Sequence, residues 1–161
     1  MPSLLERLRR LLPGLWAGWQ LCVAALATPA PFATLAQADA GRVVARMLAQ
    51  EAYTSLFLGI ALLVIERLRA RQAALRGQGS QFSLGMGLAM GTLMCTVLGY
   101  FVIEPMMIPA RAGQGSFSFA QLHAASAAFF LIKLVLILVL AWRGGAMPAV
   151  RARAMPAAPS S

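Results

Sequence analysis

Four long apolar runs divide the chain, and charged residues gather between them. The runs extend from about Leu12 to Leu35, Val43 to Ile65, Phe82 to Ile103 and Phe119 to Trp142. A helix that crosses the bilayer core needs roughly 20 predominantly apolar residues. The pattern therefore predicts an all-α membrane protein, a bundle of four transmembrane helices over residues 12–142. Residues 1–11 read as a basic N-terminus. Residues 143–161, rich in Ala, Pro, Gly and Ser, read as a disordered basic tail.

The links carry unequal charge. Arg7, Arg9 and Arg10 precede the first run, Arg67, Arg69, Arg71 and Arg76 follow the second, and Arg143, Arg151 and Arg153 follow the fourth. The other two links hold only Arg42 and Arg111, with Arg46 just inside the second helix. Basic residues concentrate on the cytoplasmic side of a membrane protein, so both termini are expected in the cytoplasm, here of a bacterial inner membrane. Trp16, Trp19 and Trp142 fall near the expected inner boundary, where aromatic anchors sit. The basic start and "ALA" or "TPA" resemble a secretory signal, but the first apolar run is too long for one.

Composition supports lipid as the solvent. The chain is 60% hydrophobic, against 45–50% apolar for typical soluble domains. A net charge of +9 raises nucleic-acid binding, but the arginines lie between apolar runs rather than along one polar face, so no nucleic acid is expected as a partner. The expected partners are the bilayer and, in addition, a second copy or another membrane protein. Cys22 and Cys95 have neither disulfide-framework nor zinc spacing.

Two stretches share a stripe of small residues. "GLWAGWQLC" holds Gly14, Gly18 and Cys22, and "GLAMGTLMC" holds Gly87, Gly91 and Cys95, with Gly99 one step on. Small residues four apart let membrane helices approach closely, so helices one and three are expected to cross there. The shared pattern is also compatible with a duplicated helical hairpin. Met86, Met90 and Met94 run beside the second stripe. Met90 and Met94 with Cys95 and Cys22 are a candidate soft-metal set; the alternative is that flexible thioethers fill gaps beside glycine.

Ionisable residues inside a membrane are functional candidates by default. Glu51, Tyr53, Glu104 and His123, with Ser126, share the expected outer half and are candidate ligand- or ion-binding residues. Pro29 and Pro31 free carbonyls at that depth. The alternative is that His123 and Ser126 hydrogen-bond between helices. Lys133 either extends its ammonium toward the cytoplasm or pairs with Glu66 at the inner end of helix two. A single histidine leaves haem only a His–Met or inter-subunit ligation, and no catalytic motif is present. Neither a cofactor nor an enzymatic activity is expected.

"ATPAPFATLAQADAGRVVARML", "YFVIEPMMIPAR" and "FAQLHAASAA" resemble the transmembrane protein 205-like family, or domain of unknown function 4149. The matching positions are Pro29 or Pro31, Phe32, Ala40, Gly41, Pro105, Leu122, His123 and Ser126. Departures are the polar "AQE" before Tyr53, Ala124 after His123, and Phe130. The resemblance implies a four-helix membrane protein with no established activity. Its eukaryotic branch is associated with tolerance to a platinum drug, which makes export one expectation. The expected function is a small transport, permeation or ligand-binding unit for a soft metal, a cation or a small molecule; the alternatives are a structural or accessory membrane protein and, third, a haem- or quinone-associated redox protein.

Overall fold

The computed structural model describes residues 4–77, 80 and 82–145. Within them are four helices long and apolar enough to cross a membrane: α1 (Leu4–Thr34), α2 (Gln37–Leu75), α3 (Leu84–Arg111) and α4 (Phe119–Gly145). They pack as a ring in which α1 meets α2 and α4, and α3 meets the same two neighbours. The all-α, four-span architecture expected from the apolar runs is the one found. The expected tail beyond Gly145 lies outside the described residues.

Every helix is longer than its apolar run. α1 begins at Leu4, so Arg7, Arg9 and Arg10 belong to its first turns. α2 is 39 residues long, about 58 Å at 1.5 Å per residue. Hydropathy falls at Glu66, but Glu, Arg, Gln, Leu and Ala are all good helix formers, and the helix continues to Leu75 before Gly77, at φ 68°, turns the chain. α4 begins with a reciprocal cap. The Ser118 hydroxyl accepts from the Gln121 N–H, and the Gln121 side-chain oxygen accepts from the Ser118 N–H, at 3.2 and 3.0 Å.

Both α1 and α3 contain a widened π turn, Val23–Ala27 in the first and Val97–Val102 in the second. Each precedes a proline, Pro29 or Pro105. A proline ring crowds the carbonyl four residues earlier and offers no N–H, and one extra residue in the turn relieves the crowding. In α1 the Val23 carbonyl accepts from both the N–H and the hydroxyl of Thr28, at 2.9 and 2.8 Å. α3 therefore continues to Arg111 instead of stopping at Ile103.

The expected crossing of α1 and α3 along the glycine stripes is not found. Gly14, Gly18 and Gly87 face open space, while Gly91 meets Leu136 and Gly99 meets Phe129, both on α4. Steps of four residues drift about 40° around a helix of 3.6 residues per turn, so the stripe spirals from the outside at Gly87 to α4 at Gly99. The principal core cluster is Trp16, Ala17, Leu62, Ala89 and Ile137, and a second, Ile103, Met107 and Leu122, lies toward the opposite end from Arg7, Arg9 and Arg10.

Candidate functional site

Glu51 and Lys133 each stand fourteen residues after the first residue of their helix, α2 and α4. They meet inside the bundle. The Lys133 ammonium lies 2.9 and 3.1 Å from the two carboxylate oxygens of Glu51, and both residues are 3% exposed. Ser55, one turn along α2, donates to Glu51 Oε1 at 2.5 Å. Trp16 of α1 in turn donates from its indole nitrogen to Ser55 Oγ at 3.1 Å. Lys133 Nζ also lies 3.4 Å from Ser55 Oγ and 5.2 Å from the centre of the Phe130 ring. Three helices thus supply one polar network in an apolar interior.

This pairing corrects two expectations. Lys133 neither extends its ammonium to the boundary nor pairs with Glu66. Glu66 is instead held by Arg9 Nε at 2.5 Å, with Arg69 at 3.9 Å and the Ser83 hydroxyl at 3.5 Å. Glu6 joins the same group through Arg69, Arg10 and Arg9 at 3.2, 3.3 and 3.7 Å. Gly85 leaves room for the Glu66 carboxylate, which would have to shift to admit a Cβ at that position. Trp16 is likewise no interfacial anchor. It is buried in the core, whereas Trp19 and Trp142 are exposed.

The candidate cavity of the outer half is not assembled. His123 is exposed and stacks on Phe119 at 5.8 Å. It lies ten residues, about 15 Å along α4, from Lys133, and Glu51 takes the lysine as its partner. Tyr53 is exposed, edge-on to Phe101 at 5.5 Å, and Glu104 is half-buried. Ser126 does bridge helices: its hydroxyl donates to the Gly99 carbonyl at 3.0 Å. A groove of about 440 Å³ at this end is lined by Ile103, Met106, Phe117, Gln121, Leu122 and Ala125, and by none of those candidates.

The sulfur atoms do not converge either. Met90 and Met94 are 58% and 59% exposed on the outside of α3, Cys22 is exposed, and Cys95 is buried. Among the described residues no three His, Cys, Asp or Glu side chains gather as a metal site would require. Met90, Met94 and Cys95 span two faces of one helix, since adjacent residues project about 100° apart.

Sequence reading singled out Glu51 and Lys133 separately, but missed Ser55 and Trp16 as companions, and missed the buried Gln20. Ser55 carried a usable signal, because residues four apart share a helix face. Gln20 had the same relation to Trp16.

The geometry buries one carboxylate and one ammonium against each other inside an apolar bundle. Comparison with known proteins adds a family and no activity. No curated protein and no solved structure matches the chain. The family model described as "Domain of unknown function (DUF4149)" matches residues 11–116, which include α2, α3 and α1 from Leu11 onward, with Trp16, Glu51, Ser55 and Glu66. The chain is an integral membrane protein and belongs to this family.

Proposed function

We propose that the protein is a small permeation or transport unit in which the Glu51–Lys133 pair is an exchangeable charge site. The observation that carries this reading is the burial of both ions, 3% exposed each, between α2 and α4. An ion pair is an expensive way to join two helices in an apolar interior, because each charge loses its hydration. Ionisable groups at such depth mark ion or proton paths in membrane proteins. Lys133 is then a tethered counter-ion that a mobile cation or proton replaces at Glu51. The scattered thioethers turn this reading away from a soft metal and toward a hard cation, a proton, or a small molecule coupled to one.

The same proposal takes the membrane to be a bacterial inner membrane, with both termini in the cytoplasm, because the arginine-rich ends fit the positive-inside pattern. The transmembrane protein 205-like branch of the family and assembly with a second copy belong to this proposal too. No catalytic role is assigned.

A structural or accessory role is the second reading. It is favoured by the closure of the network, since Ser55 and Lys133 together cover the Glu51 carboxylate. Proteoliposomes loaded with a pH-reporting dye separate the two readings. Under an imposed gradient, wild type should pass charge or protons faster than protein-free vesicles. The double substitution Glu51→Gln with Lys133→Met should fold and lose that flux. Equal flux from the double variant and wild type would leave only the structural role.

A further inference from the structure

Among the described residues one buried side chain is left without a hydrogen-bond partner. Gln20 of α1 is fully buried, and neither atom of its side-chain amide has a hydrogen-bond partner in the described structure. Leaving a buried polar atom unsatisfied forfeits its hydration with nothing in return. Leucine would occupy a similar volume without that penalty.

Two independent registers bring Gln20 to the level of the ion pair. Trp16 of α1 reaches Ser55 of α2. One turn further from the arginine-rich end stand Gln20 on α1 and Glu51 on α2. Separately, Gly144 of α4 lies against the backbone of Arg9 and Arg10, with a Cβ there meeting Arg9 O at 3.2 Å. Lys133 is eleven residues before Gly144, and Gln20 is eleven residues after Arg9. Counted along the helices, Gln20 therefore falls at the level of Glu51, Ser55 and Lys133.

We propose that Gln20, Glu51 and Ser55 form a binding site for a monovalent alkali cation, whose position the Lys133 ammonium fills in this structure. The inference rests on the reading of Glu51–Lys133 as an exchangeable pair, and it names the ion. A proton needs only the carboxylate. An alkali cation needs several oxygens, and hard cations select carboxylate, carbonyl and water over sulfur or nitrogen. Glu51 offers two oxygens, Ser55 one, and Gln20 its amide carbonyl. The Gln20 amide nitrogen then donates to a water that the ion retains.

Charge and geometry make the exchange reversible. With Lys133 in place the site is neutral; with the ion bound and Lys133 displaced it carries one extra positive charge, which favours release. The Phe130 ring, 5.2 Å from Nζ, offers the ammonium a second seat on its π face.

The test uses the full chain, purified in detergent, with radioactive sodium binding and melting temperature measured in sodium chloride against N-methylglucamine chloride at equal ionic strength. Wild type should bind sodium and melt higher in it. Gln20→Leu should weaken binding by at least about tenfold, the equivalent of 1.4 kcal/mol. Its melting temperature without sodium should equal or exceed that of wild type, because the orphaned amide is gone. Lys133→Met should bind sodium at least about tenfold more tightly, since the tethered competitor is removed. Sodium binding by Gln20→Leu equal to that of wild type would overturn the proposal, whether or not Lys133→Met folds. So would indifference of wild type to the choice of cation. Flux that still depends on Glu51 but ignores alkali ions would remove the cation site and leave the exchangeable pair standing as a proton path.

Discussion

Lys133 and Glu51 are each other's charged partner in the apolar interior of the bundle. The Lys133 ammonium donates to both carboxylate oxygens, and Ser55 adds a third hydrogen bond. Replacing one member of a buried pair leaves an uncompensated charge, which typically costs about 3–5 kcal/mol. Lys133→Met and Glu51→Gln should therefore each lower stability by roughly that much, while the double variant recovers most of the loss. Equilibrium unfolding of the three variants in mixed micelles measures this as a double-mutant cycle. Coupling below about 0.5 kcal/mol would mean that the two side chains do not depend on each other.

How far this site was legible in the sequence depends on what fixes each part. Glu51 and Lys133 stood out singly, because charge inside an apolar run needs no tertiary knowledge to notice. Their pairing did not. Hydropathy marks depth only from the start of an apolar run, and Val43 is six residues inside the start of α2 at Gln37. That offset set Glu51 too close to the membrane surface and left Lys133 nearer to Glu66. The hydrogen bond from Trp16 to Ser55 depends on the register of α1 against α2, which no local pattern encodes.

At the scale of the element, helix number followed from hydropathy and helix length did not. Hydropathy reports which turns lie in lipid, whereas propensity and capping decide where a helix stops. α2 spans about 58 Å against a hydrocarbon core of about 30 Å, so close to half of it stands outside the core. This is testable with single cysteines in a chain whose own two cysteines are replaced by serine. Gln72→Cys should react with a membrane-impermeant maleimide added to the arginine-rich side. Ile60→Cys, which is exposed on α2 but within the apolar run, should not. Protection of both would confine α2 to the membrane. The glycine stripes failed as predictors for a related reason. A spacing of four looks linear on the page but winds around the helix, so residues that share a motif face different neighbours.

Among the described residues, two charged centres join different helices, at two levels. Glu66 with Arg9, Arg69 and Glu6 ties α2 to α1 at the arginine-rich end. Glu51 with Lys133 ties α2 to α4 further along. Fifteen residues of one helix, about 22 Å, separate the two glutamates. Substitutions more than about 10 Å apart without shared partners usually add within ~0.5 kcal/mol. Arg9→Gln combined with Lys133→Met should therefore destabilise by the sum of the single effects, as read by unfolding in the same micelles. An excess of more than about 1 kcal/mol would show that the two levels move as one unit.

The equal placement of Glu51 and Lys133, fourteen residues into α2 and α4, has a consequence for how such a molecule can be built. The two hairpins, α1 with α2 and α3 with α4, present the pair at matching positions. Two identical hairpins meeting across a twofold axis would oppose glutamate to glutamate or lysine to lysine at that point, and like charges at such depth repel. Only halves that differ in sequence can set a negative charge against a positive one there. Carrying both halves on one chain guarantees the mixed pairing at every copy, with no need for two separately made hairpins to find each other.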